Sequence, residues 1–389
     1  MVSRLRFGYY ESPAVAPDGA LVAYIVRGRR PTLRVTSVVS TATQTINESE
    51  KSSWGPSWSP DGRLLAFVSD RDGDSRLWIW SRATGKVRRV SATRVSGVWG
   101  WQVPIWTPDG AGILVATASA RTPPPPSVAR ISNDTSQPPR VFRSAASSAT
   151  ARSASSARDT TAGRRQLQDL VEVDVTTGAA KSLVQREPII RWFLSPDGRT
   201  IALVLARGAL AAEPTRAVTW LHDVETVDRL SGRRTVAASD MPNTFAVSFS
   251  PDSRFIGFFN SDWGPDAHGD CWVAVVGAKA RNITPGAHQD FSREDRGPVW
   301  DPDGRSVYLE SDSAVWRTHI RENGLAGPLT RVFGVPGEAL LGLVTIEGSP
   351  QPWSPDGGRS LVAITRDVTT KMLRMYTVDA YSGAGTVRY

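Results

Sequence analysis

The sequence predicts an all-β protein built from seven repeats of a four-stranded antiparallel unit. Three observations carry that prediction. An apolar residue followed two positions later by Pro-Asp recurs seven times, with the aspartates at Asp18, Asp61, Asp109, Asp197, Asp252, Asp303 and Asp356. Apolar residues alternate with polar or small ones on the far side of each copy, which is the period of a strand. Successive aspartates differ by 43, 48, 88, 55, 51 and 53 residues. A period near fifty means one supersecondary module per copy, stacked on its neighbours.

Each element of the unit has a local cause. Three residues before the aspartate stand Val15, Trp58, Trp106, Leu194, Phe249, Trp300 and Trp353, and these end a first strand. Pro fixes φ, Asp bonds backbone two residues on, and the following Gly accepts positive φ, so Pro-Asp-Gly makes a tight hairpin. Val22, Leu65, Ile113, Ile201, Ile256 and Val307 then begin a second strand, four residues beyond the aspartate. In the seventh copy the extra Gly358 shifts the register by one and puts Leu361 in that place. In the second copy a third strand, Arg76-Leu77-Trp78-Ile79-Trp80, follows the turn-forming Asp70-Arg71-Asp72-Gly73-Asp74. A fourth, Lys86-Val87-Arg88-Arg89-Val90, follows Ala83-Thr84-Gly85. Four antiparallel strands per repeat is a β-propeller blade. Seven copies predict seven blades, with a truncated eight-bladed ring as the alternative. An open ring of that kind would expose strand edges.

The outlying interval locates an insertion. Residues 121–165 carry eight Arg, no Lys and two Asp, with Pro123-Pro124-Pro125-Pro126 and a Ser/Ala run, so they are expected to be a disordered loop. Removing those 45 residues from 88 leaves 43, one blade. The organisation is therefore propeller over 1–120, low-complexity insertion over 121–165 and propeller again over 166–389. The third blade resumes at Asp169-Leu170-Val171-Glu172-Val173-Asp174-Val175, and its last strand, Lys181–Val184, follows Thr176-Thr177-Gly178. The insertion supplies +6 of the formal net charge of +8, so the blades are nearly neutral and no specific nucleic-acid surface is expected.

The totals agree with a folded, soluble chain: 40% of residues are hydrophobic and 22% charged. A lone cysteine, Cys271, excludes an intrachain disulfide framework and reads as a small buried hydrophobe. Neither an apolar leader nor a membrane-spanning stretch stands out, so the expected location is the cytoplasm.

The run Trp58-Ser59-Pro60-Asp61-Gly62-Arg63, the following Ser69-Asp70-Arg71-Asp72-Gly73 and Leu77-Trp78-Ile79-Trp80 with Thr84-Gly85 resemble the PD40, or WD40-like, repeat. That repeat occurs in TolB-type propellers and in the propellers of prolyl-oligopeptidase (S9) serine peptidases. The order of features, with Asp169–Gly178 after the third unit and Cys271–Val276 after Phe249–Arg254, resembles the S9 group more. The resemblance implies a propeller that gates substrate access and docks an α/β-hydrolase domain carrying a Ser/Asp/His triad. No G-x-S-x-G nucleophile elbow occurs in the 389 residues, so no catalytic residue is assigned and the chain is not expected to act alone. Nor does it hold the Glu-Glu pair that the dipeptidyl-peptidase branch uses; the nearest pair, Glu294-Asp295, reads as a solvated loop. The alternative implied is a stand-alone TolB-like module that binds a peptide or protein partner.

Other chemistry is sparse. His222, His268, His288 and His319 share no ligand spacing, and no cofactor or metal is assigned. Asp262–Asp270 groups three carboxylates with His268, and Asp70–Asp74 has the look of a calcium loop, but both read as hairpin turns. The seven Pro-Asp aspartates read as structural, and a metal-bearing lyase or lactonase propeller is the weakest alternative.

Overall fold

A computed structural model describes residues 13–26, 30–46, 51–96, 103–118, 158–159, 167–210, 219–261, 269–287, 290–291, 296–311, 313–345 and 358–388. The described residues contain strands and turns and no helix, hence no helix long and apolar enough to cross a membrane. They form seven antiparallel sheets, so the chain is a seven-bladed β-propeller.

Blade one comprises β1 (Ala14–Val15), β2 (Leu21–Val26), β3 (Thr32–Ser37) and β4 (Thr43–Thr45). Blade two is β5 (Ser53–Trp58), β6 (Leu64–Ser69), β7 (Arg76–Ser81) and β8 (Val87–Arg94). Blade three takes β9 (Ile105–Trp106) and β10 (Gly112–Ala118), then skips β11 (Arg158–Asp159) and resumes with β12 (Gln168–Asp174) and β13 (Ala180–Glu187). Blade four is β14 (Ile189–Leu194), β15 (Thr200–Leu210), β16 (Thr219–Asp228) and β17 (Arg234–Pro242). Blade five is β18 (Val247–Phe249), β19 (Phe255–Asn260), β20 (Asp270–Val275) and β21 (Arg281–Asn282). Blade six is β22 (Val299–Trp300), β23 (Ser306–Glu310), β24 (Val315–His319) and β25 (Thr330–Phe333). Blade seven is β26 (Glu338–Leu343), β27 (Ser360–Asp367), β28 (Leu373–Asp379) and β29 (Gly385–Val387).

Two details depart from the sequence reading. Blade four has five strands, because β11, from within the segment read as a disordered loop, pairs Arg158 with Leu210 and Asp159 with Ala209. The long hairpin of β15 and β16 overruns the pairing of β14, which stops at Leu205, and so leaves an edge for β11 to join. The rest of 121–165 lies outside the described residues. In blade seven the first strand is Glu338–Leu343, upstream of Trp353, and Asp356 and Trp353 lie outside the described residues. Gly358 has φ 106°, a conformation open to glycine, and Leu361 is buried.

First strands touch one another between blades, β1 with β5, β5 with β9 and β14 with β18, as strands nearest a common axis must. The core is six apolar clusters, each shared by two consecutive blades. Leu33 and Val35 meet Leu65 and Phe67 between blades one and two. Leu77 and Ile79 meet Ile113 and Val115 between two and three. The series continues through Leu170 with Leu203, Val224 with Phe258, Cys271 with Leu309, and Val315 with Leu361. A blade cannot bury its own faces, so these contacts supply most of the stabilisation, at about 25 cal/mol per Å² of apolar surface removed from water.

The blades approach closely enough that some positions admit no side chain. A Cβ on Gly178, which has φ 72°, would collide with the carbonyl oxygen of Val90 in blade two, and one on Gly383, φ 73°, with that of Val332 in blade six. Gly178→Ala is expected to lower stability in urea unfolding by roughly 1–3 kcal/mol, through the strained φ and the lost approach. Gly232→Ala, at φ 72° with nothing within 4 Å, isolates the backbone part alone and should cost less.

Candidate functional site

The antiparallel order gives the disc two unlike faces. One, the turn face, carries the Pro-Asp hairpins between first and second strands and the turns between third and fourth. The other, the crossover face, carries the second-to-third turns and the links from blade to blade.

On the turn face, the Pro-Asp aspartates make a repeated hydrogen-bond box. The Ser59 hydroxyl donates to Asp61 Oδ1 (2.7 Å), the same oxygen accepts the Arg63 N–H (3.1 Å), and Ser59 Oγ accepts the Leu64 N–H (2.9 Å). Thr107 with Asp109, Ser195 with Asp197 and Ser250 with Asp252 repeat it, each with a hydroxyl-to-carboxylate distance of 2.6 Å. The hydroxyl bond and the backbone N–H together hold the Asp61 and Asp109 carboxyls below the ordinary carboxylate range. Blade six substitutes Asp301 for the hydroxyl residue, and Asp301 instead accepts the Tyr308 phenol (2.8 Å) and pairs with Arg317 (3.5 Å). Blade one has Ala16 there; Asp18 caps the Ala20 N–H (3.1 Å) and takes the Arg82 guanidinium of blade two (2.6 Å), which lowers its pKa.

These boxes also touch each other. The turn glycines Gly62, Gly110, Gly198 and Gly358 lie over Pro17, Pro60, Pro108 and Pro302 of the preceding blades. In blade five Ser253 replaces glycine at φ 62°, and its Oγ accepts the Asp197 N–H of blade four (3.1 Å). Just inside the turns, Trp58, Trp106 and Trp300 each donate an indole N–H to the first strand of the preceding blade. The acceptors are Ala14 O (2.9 Å), Ser57 O (2.9 Å) and Ser248 Oγ (3.0 Å).

Near the axis the crossover face carries polar pairs that the sequence reading did not single out. Arg296 donates to both oxygens of buried Glu310 (2.6 Å each) and to Leu343 O of blade seven (3.2 Å). The Ser53 and Ser69 hydroxyls bond each other (3.1 Å), and Asp70 Oδ1 accepts the Ser52 N–H (2.7 Å). Only tertiary pairing assembles these groups; no linear spacing announces them.

The remaining candidates are dispersed. Asp72 and Asp74 are held by Arg76, Arg89 and Arg94 in ion pairs of 2.9–3.4 Å, so the Asp70–Asp74 turn is an ion-pair network. His319 is exposed, while His268, His288, Glu294-Asp295 and 262–268 lie outside the described residues. Asp270 accepts from Asn282 (2.8 Å) and Thr284 (3.1 Å). Cys271 is buried, which pushes its thiol well up and leaves it inert. Among the described residues no group of three His, Cys, Asp or Glu could hold a metal ion.

No family model matches the chain. Over 114 residues, 27% of this chain, it is 36% identical to an uncharacterized peptidase, YuxL, of Bacillus subtilis, a stretch that makes up 17% of that protein. It is 38% identical over 71 residues to the Tol-Pal system protein TolB of Chromobacterium violaceum, covering 18% of this chain and 17% of that one. Among solved structures a prolyl endopeptidase superposes with a TM-score of 0.54 at 13% identity, over 98% of this chain and 50% of the other. The chain thus spans about half the length of that enzyme.

Buried His222 gives the interface of blades four and five a pH dependence. It packs edge-on to Phe245 (4.8 Å), its Nδ1 has no hydrogen-bond partner, and burial lowers its pKa from 6.5 to about 4. Its neutral form is favoured by folding, so its contribution is complete above about pH 6.5 and is lost as pH falls toward 4. Thermal melts from pH 7 to pH 4.5 should show that loss, and His222→Phe should flatten it. An unchanged slope in the variant would assign the pH dependence elsewhere.

Asp61→Ala is expected to lower stability by about 1 kcal/mol through loss of the box, with Ser59→Ala similar and the double variant less than additive. Urea titrations of the three variants measure this. Seven antiparallel sheets and the superposition together identify the chain as a seven-bladed β-propeller, the fold it shares with half of the prolyl endopeptidase.

Proposed function

We propose that this chain is the propeller portion of an S9-type serine peptidase, which gates substrate access and docks an α/β-hydrolase domain. The observation that carries this reading is the 36% identity to the Bacillus peptidase. The superposition on half of a prolyl endopeptidase supports it at the level of fold. Geometry adds a direction. β1 begins, and β29 ends, on the crossover face, because both Pro-Asp and third-to-fourth turns lie opposite. A hydrolase domain continuous with either end would sit against that face, near Arg296 and Glu310. The Pro-Asp aspartates then act as structural residues on the far side, each engaged by its own turn.

A second reading, a TolB-like module that binds a protein or peptide on its own, is favoured by the 38% identity to TolB. The flanking DNA separates the two. The peptidase reading expects a G-x-S-x-G elbow in frame or nearby within a few hundred codons of Tyr389, and the separately expressed domain to bind this chain and hydrolyse peptides only in complex. Flanking DNA without such an elbow would leave the module reading.

A further inference from the structure

Blade four departs from its neighbours at one end of one strand. β6, β19 and β23 stop seven or eight residues beyond the Pro-Asp aspartate of their blades, at Ser69, Asn260 and Glu310, whereas β15 runs thirteen beyond Asp197, to Leu210. β14 accompanies it only part of the way. That ladder ends with Ile189 opposite Leu205, and the Ala206 N–H donates to Pro188 O (2.9 Å) just beyond. On the other edge β16 pairs with β15 throughout, from Asp228 opposite Thr200 to Thr219 opposite Leu210. The overrun from Gly208 to Leu210 thus lies past the reach of β14, with its inner edge turned to the axis at the crossover face.

This edge is one that a strand must cover. Gly208 and Ala209 are buried, and so is Leu221, which stands across from Gly208 on β16. Main-chain N–H and C=O groups in such a place have little access to water and need a partner from the protein. Gly208, at φ 147°, adopts a conformation open to glycine and presents no side chain to an approaching backbone. β11 is the strand that lies there: Arg158 pairs with Leu210 and Asp159 with Ala209, antiparallel to β15 and in line with β14.

Two features mark β11 as a replaceable occupant. It belongs to no repeat, since it comes from the insertion between the second and third strands of blade three and crosses to blade four. It also pairs through two residues, and its hold is helped by a tether: eight residues separate Asp159 from Gln168, where β12 begins. A tether that short keeps a segment at an effective concentration on the order of millimolar, so weak pairing suffices within the chain. The same weakness lets a separate strand that pairs through more residues displace it.

We propose that the inner edge of β15 beyond Leu205 is a strand-addition site for an extended segment of a partner protein, with β11 as its tethered internal occupant. Recognition runs through the main chain, so the ligand class is an extended peptide without proline at the pairing residues. The segment lies antiparallel to β15, continues the line of β14, and enters at the axial end of the crossover face. The proposal is independent of the hydrolase reading.

The test uses the full chain, its double variant Arg158→Pro with Asp159→Pro, and a labelled, end-capped peptide with the sequence of residues 152–164. Fluorescence anisotropy should show saturable binding to the variant, about tenfold or more tighter than to the unaltered chain, where the internal strand competes. The same peptide N-methylated at the residues corresponding to Arg158 and Asp159 keeps its side chains and should not bind. Hydrogen exchange on the unaltered chain reads the site without relying on the variant's fold. Amides of residues 208–210 should exchange faster than those of 201–205, and excess peptide should slow them. Equal affinity for the two chains, no binding to the variant, or binding of the N-methylated peptide overturns the proposal. So does exchange at 208–210 as slow as at 201–205 and unmoved by peptide, the mark of a permanent structural strand.

Discussion

The constraint that governs this molecule is that a four-stranded blade has two apolar faces and cannot cover either one. Every blade must therefore be flanked, and the six clusters between consecutive blades are the outcome. Each joins second and third strands of one blade to those of the next, so stability is distributed along the ring as a series of neighbour terms. No blade has a separate core. A defect in one interface is felt by two blades and, through the ring, by the axis they share.

Packing of that kind leaves the relative height and tilt of the sheets undetermined, because apolar contact is non-directional. Direction comes from the turn face. There a glycine lies over the preceding blade's proline, an indole N–H reaches the preceding first strand, and Arg82 crosses to Asp18. The box formed by hydroxyl, aspartate and backbone keeps each hairpin rigid enough for those contacts to recur. Ser253 tests the logic within one molecule. A residue with a side chain stands at the glycine position, and its hydroxyl converts the steric contact into a hydrogen bond to Asp197 N–H.

Much of this was legible in the sequence because the repeat encodes it locally. Strand alternation and the Pro-Asp-Gly turn depend on residues within a few positions of one another. The hydroxyl before the proline was visible in Trp58-Ser59-Pro60-Asp61 but carried no assigned role, since its partner N–H sits five residues on, across the turn. Arg296 with Glu310, and β11 on the edge of β15, were not legible. The first depends on where a residue before one strand meets the end of the next, the second on which strand overruns its neighbour, and a linear sequence states neither. The candidate site was read least well for the same reason: groups at the mouth of a propeller come from different blades.

Repetition has a further use once the structure is known. Leu33, Leu77, Leu170, Val224, Cys271 and Val315 are buried four places before the end of their third strands, and they form an internal control for Met375 at that place in blade seven, which is 37% exposed. Val362, on the same face of that sheet, is 4% exposed, so the face is largely covered and only its margin, at Leu373 and Met375, meets solvent. In blades one to six the equivalent place is filled by the second and third strands of the following blade. The exposure of one side chain in a repeat therefore reports how closely two neighbouring sheets approach at that height.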